Sequence, residues 1–342
     1  MNAQLKDDMD SLLRKEALFR PLAGKRVFVT GATGLIGSML VRVLLAANEA
    51  HALHLQVIGL VRNREKAEEI FRDMPAASEL HLTDSYDVPC DYIIHTVSPT
   101  TSRFFVEHPV ETIRVSVENC MAALETAVKN HASMVYLSSM EQYGVPYEAG
   151  RQVMTEDKTG VIDHLNVRSS YSESKRLCEC LCASYAAEYG ADVKIARLSQ
   201  TFGAGVPAGD NRMPMQFAKA ALFGEDIVLH TQGKSVSNFV YLTDALSGIL
   251  TVLHKGNAGE AYNVCTDRET RCVREIADLV ATRAADGKIR VVFDIPEGVN
   301  FGYAPDTAVQ LCSKKLEGLG WKPEVSMEEA YIRLIRYLRK ED

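Results

Sequence analysis

Residues 26–37 read Arg26-Val27-Phe28-Val29-Thr30-Gly31-Ala32-Thr33-Gly34-Leu35-Ile36-Gly37. A short apolar run, then glycines at three-residue spacing, then an apolar helical pattern predict a strand, a tight turn and a helix. That context makes a glycine loop credible as a dinucleotide site. Gly31 permits the turn, Gly34 lets the backbone approach a pyrophosphate, and Gly37 lets the helix pack on the strand. The helix N-terminus supplies unpaired N–H groups and a partial positive charge for the phosphates.

Outward from this stretch, apolar runs alternate with helical patterns. Strands are predicted at Arg26–Thr30, Leu55–Val61, Tyr92–His95, Met134–Leu137 and Val193–Leu198, and helices at Ile36–Asn48, Arg64–Arg72, Pro109–Asn130 and Ser172–Tyr189. Such alternation implies an α/β fold, a doubly wound parallel sheet of Rossmann type covered on both faces. Beyond Ser199 the alternation stops. Phe202–Asn211 is Gly- and Pro-rich loop, Met213–Phe223 is helical, and Ser237–Leu242 is a short strand entering a helix at Thr243. Ser326 and Glu329 form a capping-box pattern that opens a last helix reaching Arg339. The expected division is a helical N-terminal extension at 1–24, a dinucleotide-binding domain at 25–200, and a smaller substrate lobe at 201–342, partly interleaved with it. Leu5, Met9, Leu12 and Leu13 place one apolar side on the N-terminal helix, which reads as a cap on the domain.

Tyr171 and Lys175 are the one Tyr-x-x-x-Lys pair in the chain. Four residues apart at a helix start, they face the same side. A free tyrosine, with a pKa of ~10, is a poor base at neutral pH; a lysine ammonium and an oxidised nicotinamide nearby favour the phenolate. Ser138-Ser139-Met140-Glu141 follows the Met134–Leu137 strand, so Ser139 stands at the strand's C-terminal end, over the cleft. It can bond the hydroxyl or ketone being interconverted. Glu141 is a carboxylate beside that centre, an acid or base, or else a solvated turn residue. At the end of the second strand, Gly59-Leu60-Val61-Arg62-Asn63 carries no carboxylate, and Arg62 can pair with a 2′-phosphate. The cofactor expected is NAD(P) with a lean to NADP; in the other reading Arg62 lies over the adenine ring or points to solvent.

Together these residues resemble the extended short-chain dehydrogenases/reductases, and within them the NAD-dependent epimerase/dehydratase family of nucleotide-sugar enzymes. The similarity runs from Lys25 to about Arg339. The resemblance implies catalytic Ser139, Tyr171, Lys175 and Glu141. It implies cofactor-binding Gly31, Thr33, Gly34, Leu35, Ile36, Gly37 and Arg62, with Tyr171 and Lys175 shared. Tyr171 would take the proton of a sugar C4 hydroxyl while hydride passes to the nicotinamide, giving a 4-keto sugar that is then epimerised, dehydrated or decarboxylated. A glutamate at position 141 suits the last two outcomes. Local likeness is to UDP-glucuronate decarboxylases, through Ser98-Pro99, Arg168 and Tyr171 to Arg176. Against that pattern, Met140 replaces a serine, Ser237 an arginine, Gln200 an asparagine, and Gly302-Tyr303-Ala304 a stretch in which an arginine precedes Pro305. The resemblance also implies a nucleotide diphosphate-sugar as substrate and a homodimer through helices near 110–130 and 172–189.

The net charge of −7 does not suit a nucleic-acid partner, and no apolar run has the length of a membrane span. The N-terminus has no secretory-signal core, so a cytoplasmic protein is expected. The eight cysteines read as reduced, buried thiols. Cys178-x-Cys180-x-Cys182 puts only Cys178 and Cys182 on one helix face, and no metal is expected. Two other readings remain. An NADPH-dependent carbonyl reductase of the extended type suits Arg62 and His95-Thr96-Val97-Ser98-Pro99. A non-catalytic dinucleotide sensor would need none of Ser139, Tyr171 and Lys175.

Overall fold

The computed structural model describes residues 1–74, 77–148, 150–207, 209–296 and 308–339. Its centre is a seven-stranded parallel sheet: β1 Arg26–Thr30, β2 Gln56–Leu60, β3 Leu80–Thr83, β4 Tyr92–His95, β5 Ser133–Ser139, β6 Val193–Leu198 and β7 Ala261–Val264. The spatial order is β7-β6-β5-β4-β1-β2-β3. The chain winds outward from β1 in one direction, then crosses back to β4 and winds the other way. The crevice between β1 and β4 is therefore the switch point where ligands of such sheets bind. Register brings Thr30 beside His95, His95 beside Tyr136, and Ser139 beside Leu198, so these strand ends share one edge.

Alternation along the strands builds two cores. Val27, Val29, Ile94, Val135 and Leu137 pack with the Leu35–His51 and Leu242–Lys255 helices. Phe28, Ile93, Met134 and Tyr136 face the Pro109–Asn130 and Ser170–Tyr189 helices. Strands buried on both sides read as unbroken apolar runs, which is why β1 and β4 match their predicted bounds to the residue; β6 matches too, although Lys194 and Arg197 interrupt its apolar residues. β3 is an edge strand with half-exposed residues and was not anticipated.

The segment read as one strand at Ser237–Leu242 is two. Val236–Ser237 pairs antiparallel with Arg271–Cys272, while Phe239–Tyr241 pairs in parallel with Gln200–Phe202. Phe202 thus belongs to a strand rather than to the loop that follows it, and the next helix starts at Leu242. The two halves of the sequence interleave. The Leu242–Lys255 helix and β7 join the main sheet, and Gln152–Met154 pairs with Val309–Leu311. The stretch 302–305 lies outside the described residues.

The N-terminal helix spans Ala3–Leu13 and buries Leu5, Met9 and Leu12, with Leu13 half-buried. The last helix, Met327–Leu338, is capped by Ser326, whose hydroxyl accepts from the Glu329 N–H at 3.2 Å. The Glu329 side chain does not close the reciprocal bond; it pairs with Arg333 at 2.8 Å. No helix among the described residues is long and apolar enough to cross a membrane.

The C-terminal segment is tied to the main sheet through Asp244. One oxygen of its buried carboxylate accepts the N–H groups of Glu324 (3.0 Å) and Val325 (2.8 Å), and its backbone carbonyl accepts from Trp321 Nε1. Burial pushes this carboxyl up to about 6, against the pull of the two amides. A carboxyl raised in the folded state binds its proton more tightly there than in the unfolded chain. Its contribution to stability therefore falls as pH rises from about 4 to about 6. An asparagine side chain in its place would mimic the protonated form and keep one oxygen for both amides. Asp244→Asn is expected to be more stable than the wild type at pH 8, by about 3 kcal/mol at about 1.4 kcal/mol per pKa unit. The gap should close as pH falls through 6 toward 4; thermal unfolding of both proteins across that range checks it.

Candidate active site

The turn after β1 is built by close approach. Gly31 has φ +64°, and a Cβ there would stand 2.7 Å from Thr96 Oγ1. A Cβ on Gly37 would stand 2.2 Å from the Gly31 carbonyl oxygen. Packing inside the protein thus excludes a side chain at both positions. Gly34 differs: it is exposed, and its Cβ would meet only the Gly31 oxygen, at 3.3 Å. Its bare backbone leaves an open face at the helix N-terminus, which begins at Leu35 with Gly34 as N-cap. That cradle suits a pyrophosphate. Thr33, Leu35 and Ile36 are half-buried around it.

Arg62 lies just past the end of β2, exposed, with no hydrogen bond or ion pair among the described residues. Asn63 is occupied in capping the next helix, its side chain accepting from the Lys66 N–H at 2.8 Å.

At the other side of the crevice, Ser139 ends β5 and the chain turns at once into a 3₁₀ turn, Met140–Tyr143. The Ser139 hydroxyl accepts from the Glu141 N–H at 3.2 Å. Tyr171, in the first turn of the Ser170–Tyr189 helix, is 9% exposed and stacks on Phe105 with ring centroids 4.3 Å apart and planes 7° from parallel. Burial raises the phenol well above its ordinary value, and the Glu141 carboxylate adds to this. The neighbouring Ser139 hydroxyl and the Arg168 and Arg212 guanidinium groups pull it back.

Lys175 lies close to both Tyr171 and Tyr136. Its buried ammonium donates to the Leu137 carbonyl at 2.7 Å and lies 5.0 Å from the Tyr136 ring centre and 5.6 Å from that of Tyr171. Burial lowers its pKa. The cations that act most on the phenol in this structure are thus Arg168 and Arg212, because the lysine is turned under the strand. Beneath it, His95 stacks on Tyr136 and shares a 2.9 Å bond with Thr30 Oγ1. Burial and the neighbouring Lys175 lower His95 to about 3, so it stays neutral.

Glu141 is not a freely solvated turn residue. Arg168 Nη2 holds its Oε2 at 3.0 Å, and the same guanidinium lies 5.0 Å above the Phe105 ring. Arg212 is tied to Asp210 (2.7 Å) and to the Thr201 carbonyl (3.1 Å). Met140 and Ser237, two departures from the decarboxylase pattern, touch each other: Ser237 Oγ is 3.6 Å from Met140 Sδ.

The turn is held from below. Arg176 donates to the Gln142 (2.6 Å), Tyr143 (3.1 Å) and Gly160 (2.7 Å) carbonyls. Glu179, on the Tyr171 helix, is paired with Arg197 of β6 at 2.7 Å, both nearly buried, and accepts from the Ser138 hydroxyl. Arg197 Nη1 donates to Tyr143 Oη, which donates to Asn263 of β7, each at 2.8 Å. Phe105, Arg212 and Glu179 carry no motif signal. Arg176 and Arg197 lay in segments already singled out, without a role attached. Cys178 and Cys182 face inward as expected, and Cys180 is exposed.

The profile of the NAD-dependent epimerase/dehydratase family matches residues 27–265. The chain belongs to this family. The relationship to extended short-chain dehydrogenases/reductases drawn from the motifs is borne out, and the protein is an enzyme of the epimerase/dehydratase/decarboxylase class. UDP-glucuronic acid decarboxylase 6 of Arabidopsis thaliana is 29% identical over 329 residues, 94% of this chain and 90% of its own length. UDP-glucuronic acid decarboxylase 1 of Xenopus tropicalis is 25% identical over 324 residues, covering 93% of this chain and 73% of that protein. Among solved structures, the Thermotoga maritima UDP-glucose 4-epimerase with UDP-glucose superposes with a TM-score of 0.74 at 20% identity, covering 91% of this chain and 98% of its own. That likeness bears on the fold, and it includes the doubly wound sheet described above.

Proposed function

We propose that the protein binds NAD(P) at the 31–37 turn and oxidises a nucleotide diphosphate-sugar at C4, with Tyr171 as base. The observation that carries this reading is the placement of Ser139 beside the buried Tyr171 phenol at the sheet edge, on the far side of the switch-point crevice from the glycine cradle. When bound, the oxidised cofactor supplies a hydride acceptor and a positive charge. A buried phenol beside a carboxylate keeps its proton, so that charge is what the site itself lacks for Tyr171 to act as a base. Tyr171 Oη takes the C4 hydroxyl proton, and Ser139 Oγ holds the same oxygen as it becomes a ketone. Lys175 holds the nicotinamide ribose.

The relatives' names make UDP-glucuronate the first substrate to test. In a 4-keto uronate the carboxylate is β to the ketone. The C5–C6 bond breaks, carbon dioxide leaves, and the electron pair passes into the C4 carbonyl, whose oxygen Ser139 and Tyr171 hold. C5 then takes up a proton and C4 regains its hydride, so the cofactor emerges unchanged. No proton moves as the bond breaks, so the thioether of Met140 is compatible with this step. Loss of water is the second reading, favoured by Glu141, a carboxylate fixed by Arg168 two residues from Ser139. Mass spectrometry of a UDP-sugar panel is expected to show carbon dioxide lost from the uronate, with no net change in nicotinamide absorbance. Tyr171→Phe should cut turnover by at least ~10²-fold. Steady consumption of NADPH would instead identify a carbonyl reductase.

Arg62 underlies the proposed preference for NADP. A guanidinium at the end of β2, with no partner among the described residues and no carboxylate beside it, suits a 2′-phosphate. NADPH is expected to bind more tightly than NADH, and Arg62→Ala to narrow the difference by about tenfold, as loss of one charged hydrogen bond would. Equal affinities in the wild type would remove this role.

A homodimer is proposed through the helices flanking the site. Val110, Ile113 and Met121 of Pro109–Asn130 and Leu177 of Ser170–Tyr189 are exposed on two helices that pack together, an apolar face suited to a second copy. Light scattering should give twice the chain mass, and Ile113→Asp should halve it; a wild-type monomer would refute the interface.

A further inference from the structure

The N-terminal helix does more than cover apolar surface. Leu5, Met9 and Leu12 suffice for that, yet the helix also buries a carboxylate. Asp8 is 0% exposed. Its Oδ2 accepts from Tyr241 Oη at 2.6 Å, and its Oδ1 accepts from Gln4 Nε2 at 3.1 Å and Arg333 Nη1 at 3.2 Å. A charge is kept in such a place only where several donors hold it, so its geometry is rigid. Tyr241 Oη passes that rigidity on, accepting the Ala204 N–H at 3.4 Å. The next residue, Gly205, has φ +95°. A Cβ there would stand 3.7 Å from Leu5 Cδ1 and 4.0 Å from Leu35 Cδ1. Leu35 opens the helix whose N-terminus is the glycine cradle. Leu35 packs against the apolar cluster that holds Phe202, Val206 and Tyr241, so a line of bonds and packing runs from Asp8 through Tyr241 and the 203–206 turn to Leu35.

The geometry points to Asp8 as a positioning residue for the cofactor: the N-terminal helix sets the 203–206 turn against Leu35 and so fixes the outer wall of the dinucleotide site. This rests on the reading of residues 31–37 as that site.

The test is NADPH binding by the full-length protein, followed by nicotinamide fluorescence, beside thermal melting of the same samples. Tyr241→Phe keeps the ring and removes only the hydroxyl between Asp8 and Ala204. Asp8→Asn removes the charge at the other end of the same link. Leu12→Ala, one turn further along the same helix, opens a cavity without touching the link. The expected result is a Kd for NADPH raised at least fivefold by Tyr241→Phe and by Asp8→Asn. Leu12→Ala should lower the melting temperature as much or more and leave Kd within twofold. An unchanged Kd in Tyr241→Phe, or an equal rise in Leu12→Ala, would overturn the proposal and make the helix a structural cap alone. Failure of the wild type to bind either NADPH or NADH would overturn the cofactor reading, and this proposal with it.

Discussion

A buried ion pair, Glu179 with Arg197, is the joint on which the site depends. It fastens the helix that carries Tyr171 to β6, reaches β5 through Ser138, and reaches the Met140–Tyr143 turn through Tyr143. Desolvating two charges is costly, and the pair persists because nearly every donor and acceptor is met: two contacts at 3.1 Å, one at 2.7 Å, and bonds to Ser138, Tyr143 and the Glu156 carbonyl. Removing either partner would strand the other, at a cost of about 3–5 kcal/mol. A hydrophobic pair can pack as stably, but it would not fix the angle between helix and turn. That angle decides whether Tyr171, Ser139 and Glu141 face one space.

Much of the fold could be read from periodicity because the physics is local. Three apolar residues in a row after Arg26 admit little but a buried strand, and the glycines that follow leave one way for the chain to turn. The long helices at 109–130 and 170–189 announce themselves in the same manner. What escaped was set by tertiary context. β3 is half-exposed at a sheet edge, where Leu80-His81-Leu82-Thr83 gives no continuous run. The split of 236–241 into two strands depends on partners at 200–202 and 271–272 that no local pattern reveals.

The site divides along the same line. Residue types at fixed spacing identify Ser139, Tyr171 and Lys175, yet their environments come from elsewhere in the chain. Phe105 stacks on Tyr171 from a six-residue helix with no motif. Arg212 reaches the phenol's surroundings from beyond a glycine-rich loop. Lys175, its ammonium 5.6 Å from the centre of the Tyr171 ring, also donates to the Leu137 carbonyl, since burying an ammonium demands an immediate acceptor. Spacing names the participants in a site; burial and partnering determine which charges they feel.

The bond between Tyr143 and Asn263 has a consequence for how the protein is made. The turn that follows Ser139 is completed by a strand 120 residues later, and Asn263 in turn donates to the Glu156 carboxylate and to the Met154 and Cys312 carbonyls. A chain emerging from the ribosome passes Tyr171 long before it acquires that strand. Until then the Tyr143 hydroxyl lacks its Asn263 acceptor, and β6 remains an open edge available to other chains. Closure of the site is thus a late, long-range event in folding, and the period before it is when this protein is most exposed to misassembly.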